Sequence, residues 1–337
     1  MAQRSPMSMR SSEASEMICR KDIANLMDRC VDCGACRDVC PSYRHGGCDP
    51  LEVMAGNIEK AKGCLTCGLC NDVCGSTIPK KVMMYAVCIA NDVKIPQTFY
   101  DTGYNLPPAS VEGLPVPDYD EDSDDVLMPG CLTVAMAPYL EYSAVEALRI
   151  VGKDVRRFDG GCCTYPIPYR SMSDGDRDAI KHRIADDQNI RQMFNICPGC
   201  RDEMSSVCDT DHVIGPLHRN IDVIKGLKGI DLKVASLPGC SLRHHREEFS
   251  DIIEACGCTV VDVEQGCCGK AVPGISEKIM RERQDSLKDV DAVIVGCPSC
   301  FARYDAFENG VPVLYITELV CLAAGDDTTL RFHKNKL

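Results

Sequence analysis

Tryptophan is absent from the 337 residues, and aromatic side chains make up only 5% of them. No run approaches the roughly 18 consecutive apolar residues of a membrane-spanning helix. A secretory leader is missing as well: residues 1–17 are polar and rich in Ser, Met and Arg, without the apolar stretch such a leader needs. Basic charge is in deficit, with 37 Lys+Arg against 50 Asp+Glu and a formal charge of −13. That balance excludes a nucleic-acid partner, which would demand a basic patch. Neither a G-x-G-x-x-G fingerprint nor a phosphate-binding loop follows a strand, so any flavin or nicotinamide belongs on a partner. Hydrophobic content of 45% and charged content of 26% are those of a globular chain with room for two or three domains.

What the chain has in excess is cysteine, 25 in all. Without a leader these point to a cytoplasmic, reducing setting and to metal ligation rather than disulfides. Two runs stand out: Cys30-Val-Asp-Cys33-Gly-Ala-Cys36-Arg-Asp-Val-Cys40 and Cys64-Leu-Thr-Cys67-Gly-Leu-Cys70-Asn-Asp-Val-Cys74. Each reads C-x2-C-x2-C-x3-C, the spacing that wraps three thiolates around one iron–sulfur cube and sends the fourth to another. By that crossing, one cubane [4Fe–4S] cluster takes Cys30, Cys33, Cys36 and Cys74, and the other takes Cys64, Cys67, Cys70 and Cys40. The few aromatics fit a core that gives part of its volume to inorganic clusters.

The flanking segments predict five regions. Residues 1–17 are expected to be disordered. Residues 18–92 form a helical two-cluster ferredoxin domain, with helices from near residues 13–17 to Arg29, over residues 51–61 and over 79–91. Residues 93–125 are a Pro-rich, acidic linker, carrying Pro96, Pro107, Pro108, Pro115, Pro117 and the acidic run 118–125, and read as a solvated tether. Residues 126–230 and 231–337 are two α/β modules, because the chain repeats itself. The first carries Pro129-Gly130-Cys131, a helix near 138–151, Gly161-Cys162-Cys163-Thr164 and Cys197-Pro198-Gly199-Cys200. The second carries Pro238-Gly239-Cys240, a helix near 246–256, a strand at 259–263, Gly266-Cys267-Cys268-Gly269 and Cys297-Pro298-Ser299-Cys300. Each cysteine group falls between a strand end and a helix start, where backbone N–H groups favour negative charge.

Five converging cysteines exceed the four an ordinary cube needs. The single, adjacent-pair and C-x2-C order resembles the cysteine-rich CCG domains of heterodisulfide reductases. The whole chain from about residue 18 resembles the fused form (D-type, or C–B fusion), in which a two-cluster ferredoxin precedes the catalytic subunit. It is similar too to the iron–sulfur subunits of glycerol-3-phosphate, glycolate and lactate dehydrogenases. The resemblance implies two CCG modules related by internal pseudo-symmetry. It also implies two non-cubane [4Fe–4S] clusters, one on Cys131, Cys162, Cys163, Cys197 and Cys200, the other on Cys240, Cys267, Cys268, Cys297 and Cys300. Between them such clusters cleave the disulfide of coenzyme M and coenzyme B, a step of methanogenesis. Thr164 stands where the motif has Gly, a change that bears on the backbone beside the cluster.

Other residues have two readings each. His244 and His245 are candidate proton donors to the departing thiolates, or water-exposed residues at a helix start. Arg243, Arg246 and Lys270 could hold an anionic group of a substrate. His218 aligns with Tyr315 across the repeat, on a strand leading to a helix. The remaining cysteines, Cys19, Cys48, Cys88, Cys208, Cys256, Cys258 and Cys321, read as small buried hydrophobes; Cys48, with His45 nearby between the two runs, could also line the cluster region. The function expected is a heterodisulfide reductase-like oxidoreductase, one subunit of a complex. Its donor is a flavoprotein, hydrogenase or cytochrome-type subunit, its substrate a small disulfide, and any membrane association runs through a partner. The alternatives are an electron-transfer subunit of a flavin dehydrogenase feeding quinone, and a non-catalytic electron-delivery component.

Overall fold

The computed structural model describes residues 21–269 and 272–337. The stretch 1–17, the start of the first helix, Cys19 and Lys270 lie outside them. Residues 21–27 are helical, and the expected helix over 79–91 runs Pro79–Ala90, with proline at its first turn. The helix expected over 51–61 is broken: Pro50–Met54 is α-helical, Ile58–Ala61 is a 3-10 turn, and Gly56 between them has φ +104°. A left-handed residue cannot continue an α-helix.

Among the described residues eight short strands build two parallel four-stranded sheets: β1 Asp125–Met128, β2 Arg156–Arg157, β3 Gln192–Asn195 and β4 Thr210–His212, then β5 Lys233–Leu237, β6 Thr259–Val261, β7 Ala292–Val295 and β8 Val313–Tyr315. The first sheet runs β2-β1-β3-β4 and the second β6-β5-β7-β8, the same order. Strands β1 and β7 are buried along their whole length, and β3 and β5 in all but their first residue, as parallel strands covered on both faces must be. Helices Leu140–Ile150 and Ile316–Ala324 lie against each other, and Ser143 and Thr317 share a 2.7 Å hydroxyl contact between them. One apolar cluster runs through both sheets, taking in Leu127, Leu148, Phe194, Phe249, Val293 and Leu319. Each such side chain contributes roughly 1.5–3 kcal/mol when fully buried. No helix among the described residues is long and apolar enough to cross a membrane.

The segment read as a solvated tether is not loose. Gln97–Thr102 is helical, and Ile95, Phe99 and Tyr104 pack on Cys131, Cys162 and Tyr169. The Cys162 N–H donates to the Gly103 carbonyl at 2.8 Å. Proline there shapes the path of the chain but leaves room for a short helix starting after Pro96, where its missing N–H costs nothing.

Candidate metal centres

Both N-terminal runs adopt the same turn. Asp32 and Thr66, before the second cysteine of each run, have φ +53°, and Gly34 and Gly68, after it, have φ +79° and +81°. Left-handed residues at matched positions curl each run around its own cysteines. The Thr66 N–H accordingly points at the Cys64 sulfur, 3.3 Å away. Cys36 lies beside Cys30 and Cys33; burial first, then those neighbours, push its thiol up to about 11. Cys40 does not join them. It lines one small cavity with Cys64, Cys67 and Cys70. Burial, then Cys67, Cys40 and Cys36, raise the Cys70 thiol to about 12. Cys74 contacts Ser76 and feels Arg29, which places it next to the Cys30 segment.

Cys48, for which the sequence allowed a buried hydrophobe or a lining residue of the cluster region, sits in this second group. Its sulfur is 3.6 Å from that of Cys40 and it also contacts Cys64. The loop carrying it packs so tightly that a Cβ on Gly63 would meet the Gly47 carbonyl at 2.2 Å. The pair of glycines before Cys48 was the available signal.

The two five-cysteine groups form at the carboxyl ends of the sheets. Gly130 and Gly239 have φ +80° and +100°, and they turn Cys131 and Cys240 inward. A Cβ at Gly130 would meet the Cys200 sulfur at 2.9 Å, and one at Gly239 would meet Cys300 at 3.3 Å. Cys197 and Cys297 are the N-caps of helices Pro198–Met204 and Pro298–Asp305, so Cys200 and Cys300 ride on the first turns. In the first group Cys162 contacts Cys131 and Cys163, and Cys163 lies 3.2 Å from Cys200, which contacts Cys197. In the second, Cys267 contacts Cys240 and Cys268, and Cys300 contacts Cys268 and Cys297. Thr164 keeps the glycine-like turn, at φ +64° against +83° for Gly269, and its buried hydroxyl has no partner among the described residues.

The groups meet one another. Cys67 contacts Cys267, and that bond, outweighing burial, brings the Cys67 thiol down to about 7. Leu65, Cys67, Cys267, Ile275 and Ile279 form one apolar cluster around the contact. Tyr165, two residues after Cys163, lies near both Cys240 and Cys197. It also walls a cleft of about 420 Å³ with Lys80, Lys81, Arg170 and Asp174.

These residues fit iron–sulfur clusters. Crowded, buried thiols cannot all ionise together: in these groups some are pushed up, as Cys162 and Cys200 are, while the neighbours that they hydrogen-bond are pulled down, and bound iron would supply the positive charge that lets all of them ionise. Among the described residues no three cysteine, histidine or carboxylate groups converge as a single-ion site would require.

The polar candidates fare differently. His244 is 72% exposed and faces Asp72 at 3.6 Å, while His245 is tied to Glu248 at 2.8 Å and to Arg201 at 3.3 Å. Arg243 is taken by Asp72 and the Cys240 carbonyl, and Arg246 by Asp262. His218 lies on helix Ile214–Arg219 and pairs with Asp251, not on a strand. The true counterpart of Tyr315 is His212: His212 stands opposite Asn195 as Tyr315 stands opposite Val295. The segments leading to the two strand ends differ in length, 15 residues from Cys197 to His212 but 18 from Cys297 to Tyr315.

Residues 234–304 match the CCG cysteine-rich domain, found in heterodisulfide reductase and related iron–sulfur subunits. No curated protein matches the chain. Among solved structures, glutamate racemase isoform RacE1 from Bacillus anthracis aligns at a TM-score of 0.30 and 14% identity, covering 63% of this chain and 85% of that one, too loosely to carry an argument. The CCG domain and the wealth of cysteine mark an iron–sulfur oxidoreductase-type protein.

Proposed function

We propose that the chain takes electrons at the N-terminal cysteine runs and delivers them to the two five-cysteine groups, where a disulfide is reduced to two thiols. The balance is one disulfide, two electrons and two protons, with a partner redox subunit as donor. The observation that carries this reading is the Cys67–Cys267 contact, which joins an N-terminal run to a five-cysteine group. Electrons on this path reach the second group before the first.

Cys30, Cys33, Cys36 and Cys74, then Cys64, Cys67, Cys70 and Cys40, would hold two cubanes. The groups Cys131, Cys162, Cys163, Cys197, Cys200 and Cys240, Cys267, Cys268, Cys297, Cys300 would hold two non-cubane clusters. When bound, these clusters supply the one-electron steps and the sulfur-capturing iron. The protein's share is to bury the ligands, to fix both groups against each other and to exclude water. Tyr165 lines the cleft and lies near a cysteine of each group, which supports the cleft as the approach of a disulfide. Lys80 lines that cleft and the cavity of the second N-terminal group, with its ammonium 5.7 Å from the Tyr165 ring. It carries no ion pair among the described residues, and so takes over the anion-holding role first assigned to Arg243 and Arg246. The coenzyme M–coenzyme B heterodisulfide, or a similar anionic disulfide, is the substrate class.

The test is anaerobic holoprotein assayed for iron and for turnover with reduced viologen. About sixteen irons per chain and reduction of a mixed disulfide are expected. Eight irons, or no turnover of any disulfide, overturns the proposal. Co-purification with a flavoprotein oxidising a 2-hydroxy acid or glycerol 3-phosphate would assign the chain to a dehydrogenase instead. A stable complex without either activity would leave it an electron-delivery component.

A further inference from the structure

Strands β4 and β8 end in His212 and Tyr315, and both side chains are 0% exposed. They meet between the two sheets, at the carbonyls of Ile196 and Gly296. Each carbonyl belongs to the peptide that carries the N–H of the next cysteine, Cys197 or Cys297. Buried carbonyls beyond a strand end need a donor, and these two side chains provide it. His212 Nε2 donates to the Ile196 carbonyl at 2.8 Å, while its Nδ1 accepts from the Ile214 N–H at 3.3 Å, which fixes the tautomer. The Tyr315 hydroxyl reaches the Gly296 carbonyl at 2.9 Å and the Ile196 carbonyl as well, and lies 3.3 Å from His212 Nε2. One phenol therefore touches the peptide ahead of a C-x2-C pair in both cysteine groups.

The backbone that carries the phenol is itself held. Glu318 accepts the Tyr315 N–H at 2.9 Å through one carboxylate oxygen and the His333 Nε2 at 2.9 Å through the other. Cys197, Cys200, Cys297 and Cys300, two from each group, all lie near enough to act on the phenol electrostatically.

We propose that Tyr315 and His212 form a coupling element that fixes the spacing of the two five-cysteine groups, so that a change of charge or geometry at one is felt at the other. They are positioning residues, since neither touches substrate. A hydrogen bond to a peptide carbonyl polarises the N–H of the same peptide, so the pair also acts on the first atoms of Cys197 and Cys297. The proposal rests on the reading above only in that both groups carry clusters.

The experiment compares full-length, anaerobically prepared wild type with Tyr315→Phe. Iron per chain is measured first, then the spin–spin interaction between the two C-terminal centres in reduced samples by EPR. Tyr315→Phe is expected to hold wild-type iron, to lose or broaden the interaction, and to lower kcat about tenfold at unchanged KM, as for one hydrogen bond lost from a positioning contact. His212→Gln, which keeps an N–H donor, should retain the interaction, and His212→Leu should not. A wild-type interaction in Tyr315→Phe with full iron overturns the proposal, as does a wild type with no interaction at all. If Tyr315→Phe does not fold, His212→Leu decides by the same readout. A wild type that shows the interaction but reduces no disulfide counts against the proposed function and leaves the coupling standing.

Discussion

Replacing Gly130 by alanine separates the demands of the backbone from those of the cysteine group. Gly130 has φ +80° and ψ 157°, a region open essentially to glycine, so alanine costs about 1–3 kcal/mol before any contact is considered. The new Cβ would then stand 2.9 Å from the Cys200 sulfur. Cys200 cannot swing away freely, because it is 4% exposed and 3.2 Å from the Cys163 sulfur. Displacing it pulls apart two members of the first group. Gly325 supplies the control: it has φ +95° at the end of helix Ile316–Ala324, with nothing within 4 Å of a Cβ. Alanine there carries only the left-handed cost, about 1–2 kcal/mol. Both variants should therefore lose stability in urea, Gly130→Ala the more. Only Gly130→Ala should lose iron, falling from about sixteen to about twelve atoms per chain while the other three clusters persist. Full iron in Gly130→Ala, with the EPR signal of the first group intact, would show that Cys131 and Cys200 do not share a cluster.

Thr164→Gly should stabilise the chain by about 1–2 kcal/mol, since removing strain at φ +64° and an unpartnered hydroxyl outweighs glycine's entropy and a lost methyl. A lowered thermal midpoint would refute that ordering of effects. Burial holds His212 neutral, its pKa lowered to about 3. Because the folded value is depressed, its contribution is intact above about pH 6.5 and is lost as pH falls toward 3, amounting to about 2 kcal/mol at pH 5. His212→Gln should flatten the acid limb of urea midpoints measured from pH 7 to pH 5, and an unchanged limb would place the acid sensitivity elsewhere. Lys80→Gln should raise KM about tenfold for a carboxylate-bearing disulfide and leave that for hydroxyethyl disulfide unchanged. Equal shifts for the two substrates would remove Lys80 from anion binding.

The cysteine runs were legible in the sequence because ligand spacing within one turn of chain is local information. The strand ends were legible for the same reason: an apolar run stopped by Pro-Gly-Cys leaves little choice about where the sheet finishes. What stayed hidden depends on packing between distant segments. Cys67 and Cys267 are 200 positions apart, and nothing in either motif says that they touch. Cys48 could be named as a possible lining residue but not placed, because its position comes from Gly47 and Gly63 being pressed together. The 93–125 segment looked like a tether because its prolines report on backbone shape, whereas its docking comes from Ile95, Phe99 and Tyr104 against the first cysteine group.

The seam between the sheets shows most clearly what repeats conceal. A comparison of the two halves seeks the same residue at the same distance from the motif. At the seam the chain meets one need, a donor for the carbonyl before each C-x2-C pair, with an imidazole on one side and a phenol on the other. The connecting segments also differ by three residues, since 18 positions follow Cys297 where 15 follow Cys197. Unlike donors break the symmetry, and they do so to advantage. Two identical phenols would crowd the same two carbonyls, whereas a ring nitrogen with one fixed proton and a hydroxyl that rotates can divide them. The asymmetry at His212 and Tyr315 is thus a consequence of the two halves sharing one interface, and for that reason neither half read alone could reveal it.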